Sequence, residues 1–208
     1  MLRHPSSGQR PTSPPRLYGQ RVVLRPLAPS DFPAWSDVRR RNDAWLTPWE
    51  PRRPPSQIDP SVNRDAFVAR CAARDRDSSA GLAYGFGVFL DRELVGEVNV
   101  NHVLRGAMQS ATVGYWIDRR VAGRGLIAES VVVVAAFAFD ELGLHRLEIC
   151  IVPRNHNSRR VMEKLAIREE GIALRYLEIN GVWEDHMRYG LTLEEWTARG
   201  EELRATWL

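Results

Sequence analysis

Along this chain, stretches that alternate apolar and polar residues give way to stretches in which apolar residues recur at helical spacing. RVVLRPL (21–27) alternates as a half-buried strand does. In PSDFPAWSDVRRR (29–41), Ser30 is placed to cap a helix and Asp31 falls in its first turn. A Trp- and Pro-rich loop, NDAWLTPWEPRRPPSQ (42–57), then leads to a second helix expected to end near Arg76. AYGFGVFL (83–90) and ELVGEVNVNHV (93–103) read as a hairpin about Asp91 and Arg92, and SATVGYWI (110–117) as a third strand in that series. Next comes RRVAGRGLIAES (119–130), followed by an unbroken apolar run from Val131 to Phe139. A helix from about Gly125 to Leu142 is apolar on most faces and therefore lies against a sheet.

RLEICIV (146–152) is a near-continuous apolar strand of the kind buried in a parallel pairing. SRRVMEKLA (158–166) is a short helix. ALRYLEI (173–179) and VWEDHMRYGL (182–191) flank Asn180-Gly181, a pair suited to a type I′ turn because both positions need positive φ. LEEWTARGEELRATWL (193–208) reads as a surface helix interrupted by Gly200. There are no internal repeats. The order β-α-α-β-β-β-α-β-α-β-β implies an α/β (α+β) domain, with a central twisted, mixed, mostly antiparallel sheet flanked by helices.

Composition adjusts this picture little. With 208 residues and 44% apolar content, the chain suits one domain with appendages. No apolar run approaches the roughly 18 residues that cross a bilayer, and the N-terminus has no apolar signal region, so neither membrane insertion nor export is expected. MLRHPSSGQRPTSPPR (1–16) is expected to be a disordered tail, with the folded domain over 17–196 and a C-terminal helix over 197–208. The tail holds Arg3, Arg10 and Arg16 and no acid, and the whole chain carries +3, so the body sums to zero. A neutral body argues against a dedicated nucleic-acid surface. Cys71 and Cys150 stand far apart without a CxxC, as core thiols do in a reducing cytoplasm, and His145, His156 and His186 lack the spacing of metal ligands.

The glycines of RRVAGRGLIAES raise the question of chemistry. A helix N-terminus presents unpaired N–H groups and the positive end of its dipole. Gly123, Arg124, Gly125 and Leu126 would let an anion reach that backbone with no Cβ in the way; close packing of strand on helix also uses glycine there. A P-loop is excluded, since no Lys-Ser or Lys-Thr occurs, and a dinucleotide fingerprint lacks its third glycine at Ala128.

The pattern that remains, Arg120-x-x-Gly123-x-Gly125 after a strand and before a long helix, resembles the acetyl-CoA turn of the GNAT acetyltransferases. NHNS (155–158) resembles that family's asparagine element. LTPWEP (46–51) and LEINGVWEDHMRYGLTLEEW (177–196) sharpen the resemblance to its ribosomal-protein-alanine N-acetyltransferase (RimJ/RimL) branch, over about residues 17–196. The resemblance implies a single GNAT domain that moves an acetyl group from acetyl-CoA to an amine, with no metal. Pyrophosphate would rest on the amides of Arg120 to Leu126, with the Arg120 and Arg124 side chains close by. The backbone at Trp116 and Ile117 would pair with the pantetheine arm, which Asn155 would also bond.

Met162 occupies the place where many relatives carry an acidic tyrosine, leaving Ser158 as candidate general acid or, alternatively, as a helix cap. For the base, Glu148 interrupts an apolar strand, where burial would raise its pKa, and Glu97 is the other candidate unless an arginine pairs with it. Trp45, Trp49 and Glu50 would form an acceptor lip faced by Tyr176 and Trp183, or else pin the loop to the body; Glu50 would attract a cationic N-terminus. Ala166-Ile167 stands where the family ends this helix with Gly-Phe, implying a different exit. The expected acceptor is a protein N-terminus, foremost an alanine-starting, S5-like ribosomal protein. A small amine such as an aminoglycoside or polyamine, or CoA binding without turnover, are the rivals. Monomer and homodimer, the latter through sheet edges or the C-terminal helix, both remain open.

Overall fold

The computed structural model describes residues 15–208. The expected tail, residues 1–16, lies outside the described residues except for its last two. Strands β1 (Leu17–Tyr18) and β2 (Val22–Arg25) come first, and the alternation of β2 buries Val22 and Leu24. Helices α1 (Phe32–Arg41), α2 (Asp43–Leu46) and α3 (Arg64–Ser79) follow. Ser30 does not cap α1 as expected. Pro29–Asp31 instead form a 3-10 turn, in which the Asp31 carboxylate accepts the Ala28 amide and both Arg25 nitrogens at 2.7 Å.

Strands β3 (Tyr84–Leu90), β4 (Glu93–Leu104) and β5 (Ser110–Ile117) are antiparallel neighbours, and Asp91 and Arg92 both have positive φ at the first hairpin turn. Helix α4 (Leu126–Ala136) continues as a π-helical turn to Glu141. Then come β6 (Arg146–Ile151), α5 (His156–Lys164), the hairpin β7 (Arg168–Ile179) and β8 (Val182–Thr192), and α6 (Leu193–Trp207). The eight described strands form one sheet in the order β1-β2-β3-β4-β5-β6-β8-β7, in which only β5 and β6 pair in parallel.

Helix α4 is buried at every position from Leu126 to Ala135, which suits a helix apolar all round. It packs in the main core with Trp196 and Leu203 of α6. A second cluster, Trp35, Phe67, Cys71, Phe89 and Leu94, joins α1 and α3 to β3 and β4. Gly200 does not interrupt α6. The helix runs through it, and a Cβ there would stand 3.2 Å from the Trp196 ring, so the bare backbone lets that indole pack.

The exit of α5 also differs from expectation. Ala166 takes φ +46, donates to the Glu163 carbonyl at 3.1 Å, and is followed by Ile167 donating to Met162 at 3.0 Å. This is the exit a glycine would make, held here by Arg199, whose guanidinium donates to the carbonyls of Leu165 and Ala166. Ala166→Gly is therefore expected to stabilise the fold by about 0.5–1 kcal/mol in urea unfolding, by removing a left-handed alanine. An unchanged or lower midpoint would show that no strain is held there.

Candidate active site

The site starts where two strands part. β5 pairs with β6 only from Ser110–Thr112 against Arg146–Glu148. Beyond that, β5 stays with β4 as far as Gly96 opposite Ile117, while β6 follows β8. A cleft of about 500 Å³ opens into the gap, bounded by Tyr115–Ile117, the glycine turn, the start of α5, and the loop carrying Trp45, Trp49 and Glu50.

At the end of β5 the buried Asp118 gathers the chain. Its carboxylate accepts Asn42 (3.0 Å), Arg41 (2.7 Å), and both the amide and Nε of Arg120 (3.1 and 3.0 Å). Burial pushes this carboxyl up, but the bonds from Arg41, Asn42 and Arg120 hold it well below the usual carboxylate range. The expected anion seat is corrected accordingly. The amides of Arg120, Val121 and Ala122 are spent within the turn, the last two on the Asp118 and Arg119 carbonyls. The amides of Gly123 to Ala128 have no acceptor among the described residues. Gly123 (φ +79) and Gly125 (φ +84) are left-handed, and Gly125 is the N-cap of α4. Six consecutive open amides at the mouth of a helix can hold an anion.

Arg21, just before β2, braces the turn. Its Nη1 donates to the Arg124 carbonyl at 3.0 Å and its Nε to Glu129 at 2.8 Å. The Arg124 side chain itself is exposed, with no ionic partner among the described residues.

On the α5 side, Asn155 is the N-cap and its Oδ1 accepts the Ser158 amide at 3.1 Å. Ser158 is thereby relieved of capping, and its Oγ lies 2.9 Å from the Tyr115 hydroxyl. Burial raises the Tyr115 pKa against the lowering pull of Ser158, so the phenol stays protonated. Sequence reasoning passed over Tyr115. Its signal was alternation, which places it on the face of β5 opposite Trp116, toward α4 and α5. Met162 is fully buried in the core and donates nothing.

Of the two carboxylates offered as bases, Glu97 takes its alternative, an arginine pairing, and Glu148 is corrected. Glu97 is 1% exposed and receives Trp35 Nε1 (2.5 Å) and Arg70 (2.6 Å), with Arg74 at 3.5 Å. Burial pushes its pKa up, but the charges of Arg70 and Arg74 and these bonds leave it lowered. Glu148 is only half-buried and pairs with Arg146 and Arg188, each at 2.8 Å. Burial again acts upward, and the two arginines win, so its pKa is lowered rather than raised. Neither is a poised proton acceptor.

Glu50 sits at the mouth as expected, but its charge is answered by a two-pronged Arg39 pair at 2.6 Å. Trp45 donates its indole N–H to the Ile117 carbonyl (3.1 Å), which occupies part of the backbone expected to meet pantetheine. Trp49 lies beneath the Arg154 guanidinium at 4.7 Å. The hairpin does meet this loop, through Asn180 N–H to the Glu50 carbonyl at 2.8 Å, but Tyr176 and Trp183 do not line the cleft. Tyr176 packs edge-on to His186, and Trp183 is 61% exposed.

No helix among the described residues is long and apolar enough to cross a membrane. Residues 21–168 match the family model described as an acetyltransferase (GNAT) domain. The chain is 34% identical to the probable N-acetyltransferase YjcK of Bacillus subtilis, across 82% of this chain and 93% of that protein. It is 31% identical to the ribosomal protein uS5-alanine N-acetyltransferase of Escherichia coli, across 88% and 93%. The solved structure of Mycobacterium smegmatis RimJ in complex with CoA-disulfide superposes with a TM-score of 0.81 at 30% identity, covering 92% of this chain and 98% of that one.

Proposed function

The chain belongs to the GNAT acetyltransferase family, in its RimJ/RimL-like branch, and from that premise we propose that it acetylates the N-terminal α-amine of a protein, foremost an alanine-starting ribosomal protein. The observation that carries the proposal is the run of open amides from Gly123 to Ala128, in a turn that borders the cleft where β5 and β6 part. Those amides receive the diphosphate of acetyl-CoA. The pantetheine arm follows the separated edge of β5 past Trp116, with the Asn155 side chain beside it, and the thioester comes to rest near Ser158.

The amine attacks the thioester carbonyl, a C–N bond forms, and the C–S bond breaks. The departing thiolate takes the Ser158 hydroxyl proton, which solvent restores. Tyr115 positions Ser158 through the 2.9 Å contact between the two hydroxyls, across which either can donate; with the tyrosine as donor, the serine's own hydrogen is free for sulfur. No described carboxylate at the site is unpaired, and the chemistry does not require one. An α-amine titrates near pH 8, so a useful fraction is neutral at working pH, and water takes the proton released on attack. On this reading the reaction runs in the cytoplasm, where new protein N-termini emerge.

The test is mass spectrometry of alanine-starting peptides incubated with acetyl-CoA and the protein. Acetylation at the α-amine is expected; acetylation confined to aminoglycosides or polyamines would overturn the proposal. Ser158→Ala is expected to lower kcat roughly 10- to 100-fold with the acetyl-CoA KM nearly unchanged. That is a modest general-acid effect, because a thiolate with a pKa near 8.5 leaves partly unaided. Tyr115→Phe should cause a smaller fall, about 3- to 10-fold, because it disturbs only the orientation of Ser158. A rise in KM without loss of kcat in either variant would place these hydroxyls in binding instead.

A further inference from the structure

We propose that the acceptor is a polypeptide whose residues just after the reacting N-terminus are acidic, held by an arginine-rich groove; this rests on the α-amine proposal above. The groove, about 1750 Å³, adjoins the cofactor cleft and shares Glu50 and Trp116 with it, so a chain lying along it ends at the thioester. Three of its four carboxylates are already neutralised. Glu50 is held by Arg39 at 2.6 Å, Asp59 by Arg53 at 2.5 Å, and Glu97 lies between Arg70 and Arg74. Against Asp43, the fourth, stand Arg40 and Arg52, both exposed and neither with a carboxylate partner among the described residues. The groove therefore carries a surplus of positive charge.

Three of the arginines, Arg39, Arg70 and Arg52, also lie against neighbouring groups. Arg39 lies 5.0 Å from the Trp116 ring centre and Arg70 lies 4.9 Å from that of Trp35. Arg52 rests against the β7–β8 turn, its Nη1 3.6 Å from where a Cβ on Gly181 would stand. Guanidinium groups suit carboxylates and repel cations. A polyamine or aminoglycoside, being polycationic, meets the wrong sign. The junction with the cofactor cleft also has no unpaired carboxylate to trap an ammonium, which suits an amine that must be neutral to attack. Selection then falls to the residues downstream, through their charge.

The test compares kcat/KM for three alanine-starting peptides that differ only at positions two to five: acidic, uncharged and basic. The full-length protein should favour the acidic over the basic peptide by roughly tenfold or more at low ionic strength. The ratio should shrink several-fold at high salt, as interactions between exposed charges are screened. In the double variant R40Q/R52Q the ratio should fall toward one. Equal use of acidic and basic peptides, or a preference untouched by both salt and the double variant, would overturn charge selection while leaving α-amine acetylation standing. If no peptide is acetylated and a small amine is, both proposals fall together.

Discussion

Gly125→Val is expected to raise the KM for acetyl-CoA by roughly 100-fold. Gly125 sits at φ +84, where a residue with a Cβ costs about 1–2 kcal/mol and a β-branched one more. The new Cβ would also stand 3.2 Å from the Trp207 ring and 3.5 Å from Arg21 Nη2. Relief requires the turn to rotate, and rotation swings the amides of Arg124 to Leu126 off their common direction. A hydrogen bond to a charged oxygen contributes about 1.5–3 kcal/mol, so losing one or two accounts for the effect. Gly123→Val serves as the comparison: its φ is +79, but its Cβ would meet nothing within 4 Å, so strain acts there without collision. A Gly125→Val protein that melts normally and keeps its KM within about threefold would show that the turn does not carry the cofactor.

Glu129→Ala is expected to cost about 3–5 kcal/mol of stability, a large share of what a domain of this size has to lose. Glu129 is completely buried in the first turn of α4, at the positive end of that helix. Its Oε1 accepts the amides of Arg21 (2.6 Å) and Val22 (2.9 Å), and its Oε2 accepts Arg21 Nε at 2.8 Å. Removal strands the buried Val22 amide and releases the arginine that braces Arg124. Glu129→Gln keeps an acceptor for the amides and loses only the charge, so about 1–2 kcal/mol is expected from it. Denaturant unfolding of both variants decides the matter; equal and small losses would show that the clamp is incidental.

The strands and the glycine turn were legible because they rest on local rules: period-two alternation, a left-handed turn before an apolar helix, and Asn-Gly between two strands. The separation of β5 from β6 was not legible, since no local pattern reports where a pairing stops. The state of the two carboxylates was not decided by sequence for a related reason. An arginine partner for Glu97 was an open alternative, but that Arg70 and Arg74 reach it from one face of α3 is a tertiary meeting that the strand does not announce. Glu148 was partly readable: alternation puts Arg146 on its own face two residues back, and only Arg188, from the adjoining strand β8, needed the fold. Ser158 and Asn155 were both visible as polar residues opening a helix. Which of them capped it, and which was left free to meet Tyr115, was settled by geometry. Gly200 shows the opposite case, a helix breaker by propensity that is retained for the Trp196 ring lying over it.

Calorimetric titration of the full-length protein with acetyl-CoA, beside S-acetyl-pantetheine, which lacks the diphosphate, tests the anion seat most directly. The open amides from Gly123 to Ala128 predict one site for acetyl-CoA and binding at least about 100-fold weaker for the truncated thioester. No heat with acetyl-CoA, or equal affinity for the two thioesters, would contradict it.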